Sequence, residues 1–451
     1  MRNLHNIFIE GKYSKIVGIV IWKILIDYMF ADIVTDVYAY MNQIADFNYW
    51  KLAISWIVLF LFYALGRFLR PGMVMFAYEF LSLLSFIPTL TVWWAKNEDN
   101  KCMLLITVYW LVWWAASFFI TRFTKYRTFR LVEANENDGG DVRKSPLFDR
   151  NEQFNKGAIY VGITLCALVT LFFSYKYGGM RIFIRLGDVY NYRNVEGNGM
   201  SNIEAYSYNW IVSIVLPVLL LFFLINKKRI LAVICCMLIS MNYAIYGNKS
   251  MLFMILLAFS VAIINRTNFA KYLIIYFILG ANIATFLSIF LYKTGITLWG
   301  VALIDRMTTG IAAAHFHYYD FFKTHELLLL RQSILRFFTS NPYDKPVSVI
   351  IGSSARYNLT GNYNNLNNGV FSDAYANFGV VGVVIYPILF VGAIFLFEKT
   401  LKDIKDSYKY LILCWLLMYS MSIGFFQWLM SGGFIVAIIM LKIYKKYKIR
   451  L

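Results

Sequence analysis

Charge is what this sequence has least of. Only 15% of its 451 residues are Asp, Glu, Lys or Arg, whereas 60% are hydrophobic and prolines number seven. A soluble domain carries about a quarter charged residues, so an ordinary soluble fold is excluded. Cysteine is scarce too. Cys102, Cys166, Cys235, Cys236 and Cys414 fall in or beside apolar runs, with no Cys-x-x-Cys spacing. Neither a disulfide framework nor a cysteine zinc site is indicated. Several catalytic signatures are missing as well. The chain has no Gly-x-x-x-x-Gly-Lys-[Ser/Thr] phosphate loop, no Gly-x-Ser-x-Gly elbow and no Asp-x-Asp pair. His325-Glu326 opens a His-Glu-x-x-His motif without completing it. Ten-residue alternating segments are absent, which argues against a membrane β-barrel.

What is present is one apolar run after another, at 16–38, 51–66, 74–95, 103–121, 157–175, 207–226, 229–246, 250–265, 270–293, 377–397, 408–425 and 429–445. A helix needs about 17–25 apolar residues to cross the hydrocarbon core. Inside lipid the backbone must bond to itself, so these runs are helices. The chain therefore reads as all-α, a polytopic membrane protein of about twelve transmembrane helices. The long first run lacks a small-residue cleavage site and reads as an uncleaved signal. Within it Lys23 and Asp27 stand four apart and can neutralise each other.

The net charge of +18 follows topology. Basic residues concentrate in alternate connections, among them Arg2, Lys12 and Lys15, the segment 122–156, Lys227-Lys228-Arg229, and the tail from Lys442 to Arg450. This positive-inside pattern predicts that both termini are cytoplasmic. No nucleic acid is needed to explain the charge. The organisation expected is residues 1–292 as nine helices, with a cytoplasmic loop at 122–156 and an outer loop at 176–206. A large outer loop at 293–376 follows, and 377–451 hold the last three helices and a basic tail.

The large outer loop carries the most varied chemistry. Residues 303–322 read as a helix, 326–338 as an amphipathic helix on the membrane surface, and 352–377 as ordered loop. His315 and His317 stand about 200° apart on a helix, a poor geometry for holding one metal together. The loop 176–206 contains Arg181, Arg185 and Arg193, although outer loops normally shed arginine. Those arginines either pair with Asp188, Glu196 and Glu204 or meet an anion. Lys249, in the turn Tyr246-Gly247-Asn248-Lys249-Ser250, either snorkels to the interface or does the same.

Arginine's planar fork suits phosphate, and at an outer membrane surface the natural anion is a lipid phosphate or diphosphate. No ATP is available there, so a synthetic substrate must arrive already activated. A polyprenyl-diphosphate-linked sugar meets that need. The segment Asn368-Gly369-Val370-Phe371-Ser372-Asp373-Ala374-Tyr375-Ala376-Asn377-Phe378-Gly379-Val380-Val381-Gly382, before an apolar run, carries a resemblance. With the many spans and the two arginine-bearing outer loops, it resembles the Wzy-type O-antigen and capsule repeat-unit polymerases.

That resemblance implies a GT-C-like fold in a bacterial inner membrane, and metal-independent chemistry without a cofactor. It implies transfer of a growing glycan from polyprenyl diphosphate to the hydroxyl end of the next lipid-linked repeat unit. On these terms Arg181, Arg185, Lys249, Arg306 and Arg356 are expected to bind the diphosphate. His317 or Asp373 is expected to take the acceptor proton, and Tyr190, Tyr357, Asn368 and Tyr375 to contact sugar. The implied partners are the lipid-linked oligosaccharide, membrane lipid and a chain-length regulator protein. An O-antigen ligase shares the same leaving-group requirement, and a lipid-linked oligosaccharide flippase shares the substrate. Both stay open as alternatives.

Overall fold

A computed structural model of the chain describes residues 14–39, 43–123, 156–182, 201–246, 250–264, 269–355 and 366–444. Among these there is helix but no strand. Eight helices are long and apolar enough to cross a membrane: Tyr49–Gly66, Met73–Ala95, Asn100–Phe123, Gly157–Tyr177, Glu204–Ile225, Tyr272–Lys293, Val370–Thr400 and Phe425–Tyr444. Arg229–Ile245 and Met251–Ile264 are shorter apolar helices. The first apolar run is helical over Ser14–Val37, but that stretch carries five charged residues, Lys15, Lys23, Asp27, Asp32 and Asp36. The run at 408–425 forms the short Asp406–Ser420 helix.

The surface of these helices shows what surrounds them. Val161, Leu165, Leu168, Phe172 and Tyr175 form one exposed stripe along Lys156–Tyr177, spaced alternately four and three residues apart. Ile283, Phe286, Leu287 and Phe290 do the same on Phe269–Lys293. Such stripes are costly in water and unremarkable in lipid. The fold is that of an all-helical membrane protein.

The chain divides into two compact units. One comprises Met1–Thr124, Ala270–Leu396 and Leu417–Trp428; the other comprises Lys125–Phe269, Phe397–Leu416 and Leu429–Leu451. In the first, Met73–Ala95 is the most enclosed of the eight long helices. It contains a π-turn at Ser82–Phe86, closed by the Ile87 N–H on the Ser82 carbonyl, and Pro88 follows. Proline cannot donate to the turn before it, so the helix widens there. In the second unit the central helix repeats the device. A π-turn at Ile211–Val215 is closed by the Leu216 N–H on the Ile211 carbonyl, and Pro217 follows.

The charged first helix is held within the first unit by ion pairs along its length. Lys15 meets Glu79, Lys23 Nζ lies 2.5 Å from Asp27 Oδ1, and Asp32 Oδ2 lies 2.6 Å from Lys293 Nζ. The expected Lys23–Asp27 pair is therefore present, and it is enclosed. Asp27 Oδ1 also accepts from Thr91 Oγ1 (2.6 Å) and Trp94 Nε1 (3.0 Å). A buried charge persists only when its partner and hydrogen bonds are all in place.

Two expectations for 326–377 need correction. Residues 326–338 do not form an amphipathic helix. Leu329 and Leu330 have positive φ (48° and 65°), and only Ile334–Phe337 is helical, as a single 3₁₀ turn. Tertiary bonds decide this: the Leu328 N–H donates to the Ala376 carbonyl (2.9 Å) and the Leu330 N–H to Asn377 Oδ1 (2.8 Å). The loop expected up to residue 377 is also shorter. A helix covers Val347–Ala355, and another begins at Val370. That second helix breaks at Gly379 (φ 55°, ψ −134°), a conformation open to glycine alone. Its polar start, 370–378, is thus set off from the apolar remainder.

The Lys23 cluster gives a stability test. Lys23→Met or Asp27→Leu alone should cost about 3–5 kcal/mol, because each strands a buried charge, whereas the double variant should recover most of the loss. Unfolding of the purified protein in detergent measures all three.

Candidate functional site

The polar start of the Val370–Thr400 helix meets two other parts of the first unit. The first is the Thr309–Phe322 helix, which packs against Ile87–Ala95 and is enclosed along most of its length. Ala312, Ala313 and Ala314 are small enough to permit that approach. Its preceding helix, Trp299–Met307, stops at Thr308 (φ −132°, ψ −84°), so the expected single helix over 303–322 is two. Asp305 Oδ1 accepts from Thr309 Oγ1 (2.5 Å) across this break.

On Thr309–Phe322 one face looks toward residues 366–375. His315 Nδ1 is 2.8 Å from Ser372 Oγ, and its ring meets Phe371 edge-on at 5.6 Å. The Tyr318 hydroxyl donates to the Leu366 carbonyl (2.9 Å), and the Tyr319 and Tyr375 rings lie 5.2 Å apart. Residues 315, 318, 319 and 322 share a helix face by their spacing. His317, two residues on from His315, is turned to another side and is half-buried. This helix carries two histidines, and the buried one that reaches the 370–378 segment is His315. Its spacing with Tyr318, Tyr319 and Phe322 was the available signal.

The second meeting is centred on Asp373. Asp373 Oδ2 accepts the Phe425 N–H (2.8 Å), while Oδ1 accepts Asn377 Nδ2 (3.0 Å) and Asn368 Nδ2 (3.2 Å). The residue is only 7% exposed. Asn377 then carries the link outward, since its Oδ1 receives the Leu330 N–H. One carboxylate thus fixes the start of the Phe425–Leu429 helix, the 328–330 turn and its own helix. Space for it depends on Gly424, where a Cβ would lie 2.6 Å from Asp373 Oδ1. Enclosed in this way, Asp373 has both carboxylate oxygens engaged, by donors at 368, 377 and 425. Nearby, the Tyr109 and Tyr386 hydroxyls are buried without a hydrogen-bond partner among the described residues.

Of the residues singled out from sequence, the structure brings Asn368 and Asp373 into contact. Tyr375 lies on the neighbouring face, packed on Tyr319 and Phe371. Arg306 is exposed on Trp299–Met307. Arg181 belongs to the second unit, where its Nε donates to the Gly178 carbonyl (2.8 Å). In that unit Glu204 is engaged by Lys176 Nζ (2.6 Å), the Tyr177 hydroxyl and the Ser201 cap. Arg185, Tyr190, Lys249, Arg356 and Tyr357 lie outside the described residues. Among the described residues no group of three or more His, Cys, Asp or Glu side chains gathers.

No protein-family model, curated protein or solved structure matches the chain. Fold and site together define the class at this level: an all-helical membrane protein with a buried carboxylate hub beside a broken helix.

Asp373→Ala should destabilise the first unit by at least about 1–3 kcal/mol, because the Phe425 N–H loses its acceptor in a buried setting. Thermal unfolding in detergent reads this. Burial pushes the His315 imidazole down to about 4. The unfolded chain therefore binds the extra proton between pH 6.5 and 4. Stability should be full above about pH 6.5 and fall as the pH is lowered toward 4, and His315→Gln should flatten that dependence.

Proposed function

We propose that the chain is a glycosyltransferase that polymerises lipid-linked oligosaccharide repeat units on the outer face of a bacterial inner membrane. The observation that carries this reading is the form taken by Asn368–Gly382, the segment with the family resemblance. It is a polar half-helix, broken from an apolar helix at Gly379 and tied by Asp373 and Asn377 to the helix system of the long polar stretch. A polar segment fixed and enclosed at the end of an apolar helix suits a scaffold for binding a substrate with a lipid tail and a sugar head. In this reading the chain crosses the membrane about twelve times, with both termini cytoplasmic and a GT-C-like arrangement.

The reaction needs no metal or nucleotide. The acceptor hydroxyl oxygen attacks the anomeric carbon of the growing glycan, and the bond from that carbon to the diphosphate oxygen breaks. Arg306, with Arg181, Arg185, Arg356 and Lys249, stabilises the charge gathering on the departing polyprenyl diphosphate. His317 takes the acceptor proton, and Asp373 positions the segment carrying Asn368 and Tyr375. Tyr190 and Tyr357 complete the sugar contacts. A chain-length regulator protein is the expected partner.

The Gly379 break and the enclosed Lys23–Asp27 pair also favour a second reading, a lipid-linked oligosaccharide transporter, since broken helices and buried charges are transporter features. Deletion of the protein in its host separates the possibilities. A surface glycan reduced from a ladder to one repeat unit supports polymerisation, whereas loss of all surface glycan points to a flippase or ligase. With polyprenyl-diphosphate-linked oligosaccharide in reconstituted vesicles, Arg306→Ala should slow chain extension by about a hundredfold while the protein still inserts. Unchanged extension would remove Arg306 from the clamp.

A further inference from the structure

The second unit carries a feature that the proposed reaction leaves unused. The turn between Leu216–Ile225 and Arg229–Tyr246 is tight: the Lys227 N–H donates to the Leu224 carbonyl (3.2 Å) and the Lys228 N–H to the Phe223 carbonyl (2.8 Å). Lys227 takes a left-handed φ of 57° to close it. The turn presents three consecutive exposed cations, Lys227, Lys228 and Arg229. None of them enters an ion pair among the described residues. The sequence supplies no Asp or Glu from Ala205 to Ile304.

An almost wholly apolar groove of about 470 Å³ starts at Arg229 and runs along its helix. Val233, Cys236, Met237 and Ser240 line it from that helix, and Phe259 lines it from Ser250–Ile264. From Arg229 to Ser240 the helix rises about 16 Å. Half of a hydrocarbon core of about 30 Å is about 15 Å, so the groove spans roughly one leaflet. Its volume falls in the range of about 300–1,000 Å³ typical of ligand sites. Charge at one end and an apolar trough of leaflet depth below it match one molecule type. The head must be anionic and held at the membrane surface, and the tail must be a hydrocarbon chain running inward.

We propose that this groove binds one anionic phospholipid of the surrounding bilayer, its phosphate on Lys227, Lys228 and Arg229 and one acyl chain along Val233–Ser240. Basic pockets between transmembrane helices take anionic head groups, at about 1 kcal/mol per Lys or Arg. The site is independent of the glycan reaction, and binding reads it without any measure of polymerisation.

The test uses the purified full-length protein, stripped of lipid in detergent. Palmitoyl-oleoyl phosphatidylglycerol and phosphatidylcholine are added separately, and bound lipid is counted by native mass spectrometry. The expected result is one retained phosphatidylglycerol, preferred over phosphatidylcholine by about tenfold or more. The triple variant Lys227→Gln, Lys228→Gln, Arg229→Gln should lose that preference. Ser240→Phe, which fills the groove, should lose retention of the lipid with thermal unfolding unchanged. If the triple variant does not fold, Arg229→Gln alone should still lower the preference by about threefold. Equal binding of the two lipids, or a preference that survives the charge removal, overturns the proposal. Competition by soluble glycerophosphate as effective as the whole lipid would mean that the turn holds a free anion, and would overturn it equally.

Discussion

A carboxylate taken out of water must find donors, and in the first unit that requirement organises everything around residue 373. Asp373 accepts from a backbone amide at 425 and from the side chains of Asn368 and Asn377. Asn368 and Asn377 flank Asp373 on its own segment and the Phe425 amide comes from far along the chain, so meeting the need of one group fixes that segment against residue 425. Asn377 passes the constraint on by capturing Leu330. Removing the charge would also remove the reason for Gly424, for the irregular path of 326–338, and for the short Phe425–Leu429 helix to start where it does.

The parts of this fold that were legible in the sequence are those governed by a local rule. Long apolar runs became helices because lipid leaves the backbone no other partner. Lys23 and Asp27 paired because an interval of four places them on one face. The failures lie where distant groups compete with local preference. Leu327, Leu328 and Leu330 follow a helical pattern, yet the backbone from 328 to 330 is claimed by residues 376 and 377. The polar residues between 370 and 377 read as loop, yet they make two helical turns because their side chains bond to one another and to the chain around 425. His315 and His317 stand on one short helix, and it is the packing of the face that carries His315, Tyr318 and Tyr319 against residues 366–375 that buries the first of them. Of the site itself, Asn368 and Asp373 were readable as a pair of neighbours, and the third member, residue 425, was too far along the chain to be seen.

Charge in this protein is placed in two ways. Enclosed charges such as Lys23, Asp27 and Asp373 are surrounded by named partners and hold helices in register. Exposed cations such as those at 227–229 sit at helix ends, where water or lipid head groups can meet them. The first kind gives the molecule its shape, and the second gives it something to bind.

The π-turns at Ser82–Phe86 and Ile211–Val215 have one more effect. Each adds a residue to a turn without ending the helix, so the side chains beyond it are out of phase with those before by about 100°. A helix interrupted in this way has two seams, one above the turn and one below, aimed at different neighbours. The two most enclosed of the long helices, one in each unit, both carry such a phase shift. A straight rod can face one direction along its length. These two turn a different face outward beyond the π-turn while remaining one continuous helix.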